Sequence, residues 1–584
     1  MISAVKNHWF IGILAVIAGL IIVLPTLLSI EKSGSDFQGI YPMFSNDEAY
    51  YLSLGREAYD GRYNIGNAFI KEYKEKPSLQ QSLAEIIFAN EAKILGVSIP
   101  KAYAINDFFL PFLGFILLYI LFFNVIKSKI ISGLFTFALF FIFLSYFNRP
   151  TNPQFGFLFF VLGILLVWKI ISEEYDFKKL ALFNILLGII FGALIYIYPF
   201  YWTGVVVLYA IATSILALRQ NNFRYYTKNW LVFGAVSVSI ALPYAFNLLK
   251  SIKDPSFMEA SLRQGMIFNH WPAALFNVAL MVCCLALIYL VQKNIKGSRS
   301  LIFAYSLAIS GIVLNWQNVI TGKAIQFSSH YYFPVILFAF LIFSVCAKAL
   351  MVLAGEERKN NFRKAAAAVL MAALFAVAVY WQKDDIKAAY MNIVASPDVS
   401  GLQNLMPIAR WLNDNTPKDS AVYALGKNYN WLIPIYTHDN VYWTGAAEMY
   451  LMSDEELENR WVIQNLFNNI DGDVIKKNNS NIWLSKFVAG YQNQEVRRKI
   501  LQFITGKEYP GTVSVDPKYI GRVLEKYQQF KNAGFEKALK TYAADYVLLD
   551  LNDERYREFE NKFKEYSFLK LAAKIDGVVI FKVE

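Results

Sequence analysis

The run Asn46-Asp47-Glu48-Ala49-Tyr50-Tyr51 holds the first two adjacent carboxylates after an N-terminal apolar segment, on a chain whose later loops hold few acids. An acidic pair kept beside a bilayer is costly and marks a place of function. Carboxylates there are suited to proton transfer or to holding a cation. Ser45 and Glu48 also fit a capping box, which predicts a helix opening at this point and ending near Asp60-Gly61. That cap, together with the positive end of the helix, accounts for Glu48. Asp47 is not required by it.

The elements that must position these groups are membrane spans. The 584 residues are 56% hydrophobic and 16% aromatic against 17% charged, too apolar for an average soluble protein. Although the net charge is +11, Lys and Arg gather in short segments between apolar stretches, where they set topology; nucleic acid is not an expected partner. Cys283 and Cys284 share one apolar run and Cys346 lies in another, so neither a disulfide framework nor a cysteine metal site is expected. Runs long enough to cross the hydrocarbon core occur at about 9–29, 107–125, 131–147, 154–171, 180–197, 201–218, 230–249, 272–291, 300–316, 332–353 and 365–381, eleven in all. The pair over 180–218 is separated only by Tyr198-Pro199-Phe200-Tyr201-Trp202.

Lys6 precedes the first run and no small-residue cleavage site follows it, so it reads as a retained span. Alternate loops carry Lys127 and Lys129, Lys178 and Lys179, Arg219, Arg224 and Lys228, Lys293, Lys296 and Arg299, and Arg358, Lys359, Arg363 and Lys364. The positive-inside rule makes that set cytoplasmic, with the N-terminus. Segment 30–106, the loops at 148–154, 198–202, 250–271 and 315–331, and everything beyond about 382 then face outward.

The expected fold is a mostly α-helical integral membrane protein of about eleven spans over residues 1–381, with an extracytoplasmic α/β domain over 382–584. Strands are expected at Ala421–Leu425, Leu432–Tyr436, Tyr546–Leu549 and Val578–Val583, and helices near 402–413, 453–467, 519–533 and 553–566. Within 30–106, a second capping signature at Ser78-Leu79-Gln80-Gln81 opens an amphipathic run ending at Gly96. Two helices lying on the outer membrane surface are expected there.

Asp47-Glu48-Ala49-Tyr50-Tyr51, the following Arg56-Glu57 and the Asp60-Gly61-Arg62-Tyr63 exit together resemble the first external loop of polytopic GT-C glycosyltransferases. That superfamily includes lipid A aminoarabinose transferases, protein O-mannosyltransferases and oligosaccharyltransferases. The segment 407–417 is similar to the start of the soluble domain in many members, whereas the Trp-Trp-Asp-Tyr-Gly run of oligosaccharyltransferases is lacking. The resemblance implies a polyprenyl-phosphate-linked sugar donor, a glycan, lipid or protein acceptor of the cell envelope, and Asp47 as the catalytic carboxylate with Glu48 beside it. Asp47 would take a proton from the acceptor hydroxyl as general base. Cations would hold the phosphate as its charge develops.

External polar groups near the bilayer are therefore candidates for binding the donor: Arg149, Asn152 and Gln154 in one loop, Arg263 in the next, and Lys323, Gln326, His330 and Tyr331 in the loop before the tenth run. Arg149 could instead snorkel from a helix end, and His330 could make an interfacial hydrogen bond without substrate. Asp107 is either a helix cap or a second carboxylate of the same cavity; Asp47 and Asp107 are the residues that could take a divalent ion such as Mg or Mn. His270-Trp271-Pro272 reads as an interfacial anchor. The rings at Tyr196, Tyr198, Phe200, Tyr201 and Trp202 suit an aromatic belt or sugar stacking. His438, Tyr436, Tyr442 and Trp443 could meet an acceptor. Two other functions fit the same span pattern, a transporter or flippase of lipid-linked glycans and a non-catalytic envelope assembly protein.

Overall fold

The computed structural model describes residues 2–144, 146–148, 150–272, 274–295, 297–324, 328–354, 361–395, 397–511 and 514–584. A bilayer offers the backbone no partner but itself, so apolar runs become helices. These are α1 (Ile2–Ser33), then α2 (Asn46–Tyr59) and α3 (Leu83–Leu95) of the first loop, α4 (Ile99–Ile126), α5 (Lys129–Ile142), α6 (Gly156–Ser172), α7 (Phe177–Ile195), α8 (Pro199–Gln220) and α9 (Phe223–Ile252). A short α10 (Phe257–Arg263) follows, then α11 (Leu275–Val291), α12 (Ser298–Thr321), α13 (Tyr332–Ala354), α14 (Asn361–Trp381) and α15 (Lys383–Ala395). Among the described residues, eight helices (α1, α4, α7, α8, α9, α11, α12 and α13) are long and apolar enough to cross a membrane. Shorter apolar helices, α5, α6 and the Ala368–Tyr380 part of α14, occupy the other three runs. Tyr198 is extended and Pro199 opens α8, so the 180–218 stretch divides into two helices at the expected turn.

In the bundle α1 lies along α4, α4 carries α5 and α6, α7 pairs with α9, and α11, α12 and α13 pack together. At the α1–α4 crossing, a Cβ on Gly19 would lie 2.6 Å from the Phe108 carbonyl oxygen, so only glycine permits that approach.

In the first loop α2 starts and stops where its sequence signals place it, but α3 starts at Leu83, later than the Ser78 signature. Ser78 Oγ donates to the Gln80 carbonyl and closes a local turn instead of capping a helix.

The C-terminal region holds α16 (Met406–Asn415), β1 (Ala421–Leu425), α17 (Tyr429–Tyr436), β2 (Asn440–Val441), α18 (Asp454–Gln464), α19 (Gly472–Lys477), α20 (Asn479–Trp483), α21 (Lys486–Thr505) and α22 (Pro517–Ala533). Strands β3 (Tyr546–Asp550), β4 (Leu569–Ile575) and β5 (Val578–Val583) complete a mixed sheet of order β2-β1-β3-β5-β4. β1 runs parallel to β2 and β3, with Val422 opposite Tyr546, while β5 is antiparallel to β3 and β4. β1 is wholly buried, which explains why it reads as a continuous apolar run.

Two expectations are corrected here. Leu432–Tyr436 belongs to helix α17, not a strand, because that segment packs against α2. The helix expected over 553–566 is confined to Phe559–Glu565, and β4 follows it. β4 and β5 form a hairpin through Asp576-Gly577, whose φ values of 48° and 80° are those of a primed turn.

The first loop and the C-terminal region are locked together. The Val441 amide donates to the Phe69 carbonyl at 2.9 Å, and Gln403 Oε1 accepts from the amides of Gln38 and Ile40. Glu57 takes Lys74 and Arg62 at 2.8 and 2.9 Å, and both cations also reach Asp419. Arg460 reaches Glu72 at 2.7 Å.

Candidate active site

The lock places the N-terminal turn of α2 at the wall of a cavity of about 370 Å³. Asp47, Tyr50 and Tyr51 of α2 line it. On one side stand Tyr198, Pro199 and Phe200, where α8 begins, and His330, just before α13. On the other stand Trp431 of α17, Gly445, Ala446 and Met449, and the α20–α21 junction from Ser480 to Ser485. The cavity thus joins the ends of two apolar helices to the C-terminal region, with a solvent-exposed Asp47 between them.

Each wall is held from behind. Glu48 is buried, and its Oε1 accepts from the amides of Phe44 at 2.8 Å and Ser45 at 3.0 Å, fixing the entry to α2. Tyr103 donates its hydroxyl to the Tyr51 carbonyl at 3.1 Å, and the Tyr50 ring packs near Phe69 and Tyr450. Tyr198 Oη and His330 Nδ1 are 2.6 Å apart, with the two rings stacked, and Phe200 meets the imidazole edge-on. The imidazole is thereby oriented in the wall.

Glu85 of α3 lies buried near Tyr50, and burial pushes its carboxyl up to about 8. Its folded form keeps the proton over a range in which the unfolded chain has lost it, so stability should fall as pH rises from the ordinary carboxylate range towards 8. We expect Glu85→Gln to flatten that slope in thermal melts of the detergent-solubilised protein between pH 5 and pH 8. A slope equal to the wild type's would show that Glu85 is ionised in the folded chain.

Of the residues singled out from sequence, Asp47 and His330 come together in the cavity. Tyr331 is buried behind it, edge-on to Phe200 at 5.0 Å. Arg263 is corrected: it is fully buried and donates to the carbonyls of Glu448, Tyr450 and Met452 and to Asp454 Oδ1 at 2.5 Å, because the C-terminal chain wraps over α10. Gln154 is turned to Asp107 Oδ1 at 3.2 Å and to the Phe147 carbonyl, and neither it nor Asp107 lines the cavity. Lys323 is exposed, with its ammonium 5.8 Å from the Phe268 ring centroid. His438 bonds to Thr416 and sits beside Asp439, while Tyr442 lies in the core under Arg460. Arg149, Gln326 and the side chain of Asn152 lie outside the described residues.

No three His, Cys, Asp or Glu side chains converge among the described residues. With Glu48 engaged as a cap and Asp107 bonded to Gln154, Asp47 is the one carboxylate among the described lining residues. These residues do not fit a divalent-ion site built on Asp47 and Asp107 together.

Trp431, Gly445, Asn481 and the α20–α21 junction were not anticipated. Their sequence signals are those of core and turn, and only α17 packing on α2 brings Trp431 to Asp47.

No family model and no curated protein matches this sequence. Among solved structures the chain is similar to ArnT from Cupriavidus metallidurans in the apo state, at 11% identity over 99% of this chain and 98% of that one, with a TM-score of 0.45. The same protein bound to undecaprenyl phosphate gives 11% identity, 97% of each chain and 0.44. The Archaeoglobus fulgidus oligosaccharyltransferase, tethered with an acceptor peptide containing the NVT sequon, gives 14%, 100% of this chain, 75% of that one and 0.43.

Proposed function

We propose that this chain is a membrane glycosyltransferase that moves a sugar from a polyprenyl-phosphate carrier to a hydroxyl acceptor on the external face of the cell membrane, with its N-terminus cytoplasmic. The observation that carries the reading is the meeting of Asp47 with the Tyr198–His330 pair in one cavity between apolar helix ends and the C-terminal region. Asp47 takes the acceptor's proton while the acceptor oxygen bonds to the anomeric carbon. The bond from that carbon to the phosphate oxygen breaks, and its electron pair leaves with the carrier phosphate. His330, oriented by Tyr198, donates a hydrogen bond to that departing phosphate. Arg149, in the loop between the third and fourth apolar runs, is a further candidate for the same phosphate.

The test is single-turnover transfer from radiolabelled polyprenyl-phosphate sugars in membranes carrying the wild-type protein. Release of labelled sugar from at least one donor supports the reading, and inertness of every donor would sink it. Replacing His330 with Phe, which keeps a ring but no donor, should lower the single-turnover rate by about 10²-fold, the usual loss for one donor at a developing anion. An unchanged rate would remove His330 from the phosphate.

A further inference from the structure

The half of the cavity away from the membrane helices has a chemistry of its own. Its described lining, from Trp431, Gly445, Ala446 and Met449 to Ser480, Asn481, Leu484 and Ser485, contains an indole, an amide and two hydroxyls, and no Lys, Arg, Asp or Glu. The two cations that adjoin the Ser485 backbone point elsewhere. Lys486 directly follows Ser485, and Arg263 accepts the Ser485 amide on its carbonyl, yet both side chains are turned to Asp454. Burial pushes Asp454 up, but Arg263 and Lys486 outweigh it and hold the carboxyl below the usual range, so the ion cluster is charged and closed on itself.

Trp431 and Asn481 face each other across Gly445. A Cβ added to that glycine would sit 3.8 Å from Trp431 Cζ2 and 3.7 Å from Asn481 Oδ1, so the missing side chain leaves the floor between them open. Trp431 also borders a second cavity of about 310 Å³, lined by Phe44, Ser45 and Asn428 among others, with no charged side chain among its described lining residues. One indole therefore borders both spaces, each beside the N-terminal turn of α2.

We propose that this half of the cavity is a subsite for a neutral glycan acceptor, seated between Trp431 and Asn481 over Gly445 with its reacting hydroxyl towards Asp47. A sugar ring presents an apolar C–H face that suits the indole and hydroxyls that suit the amide and the serines. A phosphate or carboxylate on the acceptor would be desolvated here without a cation to meet it. The next ring of the glycan lies in the second cavity, past Trp431. This assignment rests on the glycosyltransferase reading, whose acceptor it specifies.

The experiment uses the full-length protein in nanodiscs against three immobilised probe sets: neutral oligosaccharides, the same oligosaccharides phosphorylated on the terminal ring, and peptides containing Asn-Ala-Thr. Binding to at least one neutral probe, weaker by about tenfold in Gly445→Val and in Trp431→Ala, is the expected result. Gly445→Val only adds atoms to the floor, so it stays informative if Trp431→Ala fails to fold. Preference for phosphorylated probes or peptides, equal binding by both variants, or no binding to any probe would overturn the proposal. Transfer of labelled sugar in membranes that supply the acceptor, measured with the wild-type protein, separates the two failures: transfer with no glycan probe bound removes the subsite alone, and glycan binding without transfer removes the transferase reading and leaves a glycan-binding site that is not an acceptor subsite.

Discussion

Asp47→Asn should reduce sugar transfer by roughly 10²–10⁴-fold, the range a positioned general base contributes, or about 3–5 kcal/mol of barrier. Asparagine keeps the shape of the side chain and the helix start but accepts no proton. Asp47 is exposed in the cavity lining, and Glu48 receives the amides of Phe44 and Ser45. The fold should keep the α2 cap and lose the favourable interaction of the carboxylate with the helix dipole, about 0.3–1 kcal/mol. Single-turnover transfer at matched protein levels reads the chemistry, and binding of an unreactive donor analogue reads the site. A collapse of transfer with donor binding intact is the expected pair of results. Transfer at the wild-type rate would move the base elsewhere and leave Asp47 as part of the α2 start. Asp47→Glu tests position separately from basicity, because it keeps the carboxylate but carries it one methylene further into the cavity.

Arg263→Met should be the most damaging single change to the fold. The Arg263 side chain makes four hydrogen bonds, three of them to backbone carbonyls, and has no exposed surface. Methionine fills similar volume yet leaves those carbonyls without their donor and takes from Asp454 one of the two cations, Arg263 and Lys486, that pair with it. Removing one partner from a buried ion pair typically costs about 3–5 kcal/mol. The loss falls on residues 445–454 and on the α20–α21 junction, which together form one wall of the cavity. A lowered melting temperature and loss of the monodisperse size-exclusion peak are expected, with Arg263→Lys intermediate because it retains the charge but not the fork of donors. A variant that melts and elutes like the wild type would show that the wall is held by other contacts.

Apolar runs and capping signals made much of the secondary structure legible from sequence, since both are local quantities. The helical character of the eleven runs, the start and stop of α2, and the strands β1, β3 and β5 were legible for that reason. Asp47 stood out because a carboxylate unneeded by its helix cap is conspicuous on an apolar chain. The environment of Arg263 was not legible, because an arginine in a loop beside the membrane reads the same whether it meets a phosphate or a carboxylate. Its partner Asp454 lies 191 positions further on, and only the folding of the C-terminal region over α10 decides between them. Trp431 is the converse case. In sequence it belongs to a short apolar stretch that suits a strand, and tertiary packing makes that stretch a helix against α2 and turns the indole towards the cavity. The sequence by itself determined which segments avoid water and where the carboxylate sits, because burial and capping act over a few residues. Tertiary structure alone decided which side chains share the cavity, because that depends on contacts between segments hundreds of residues apart, whose pairing no local pattern records.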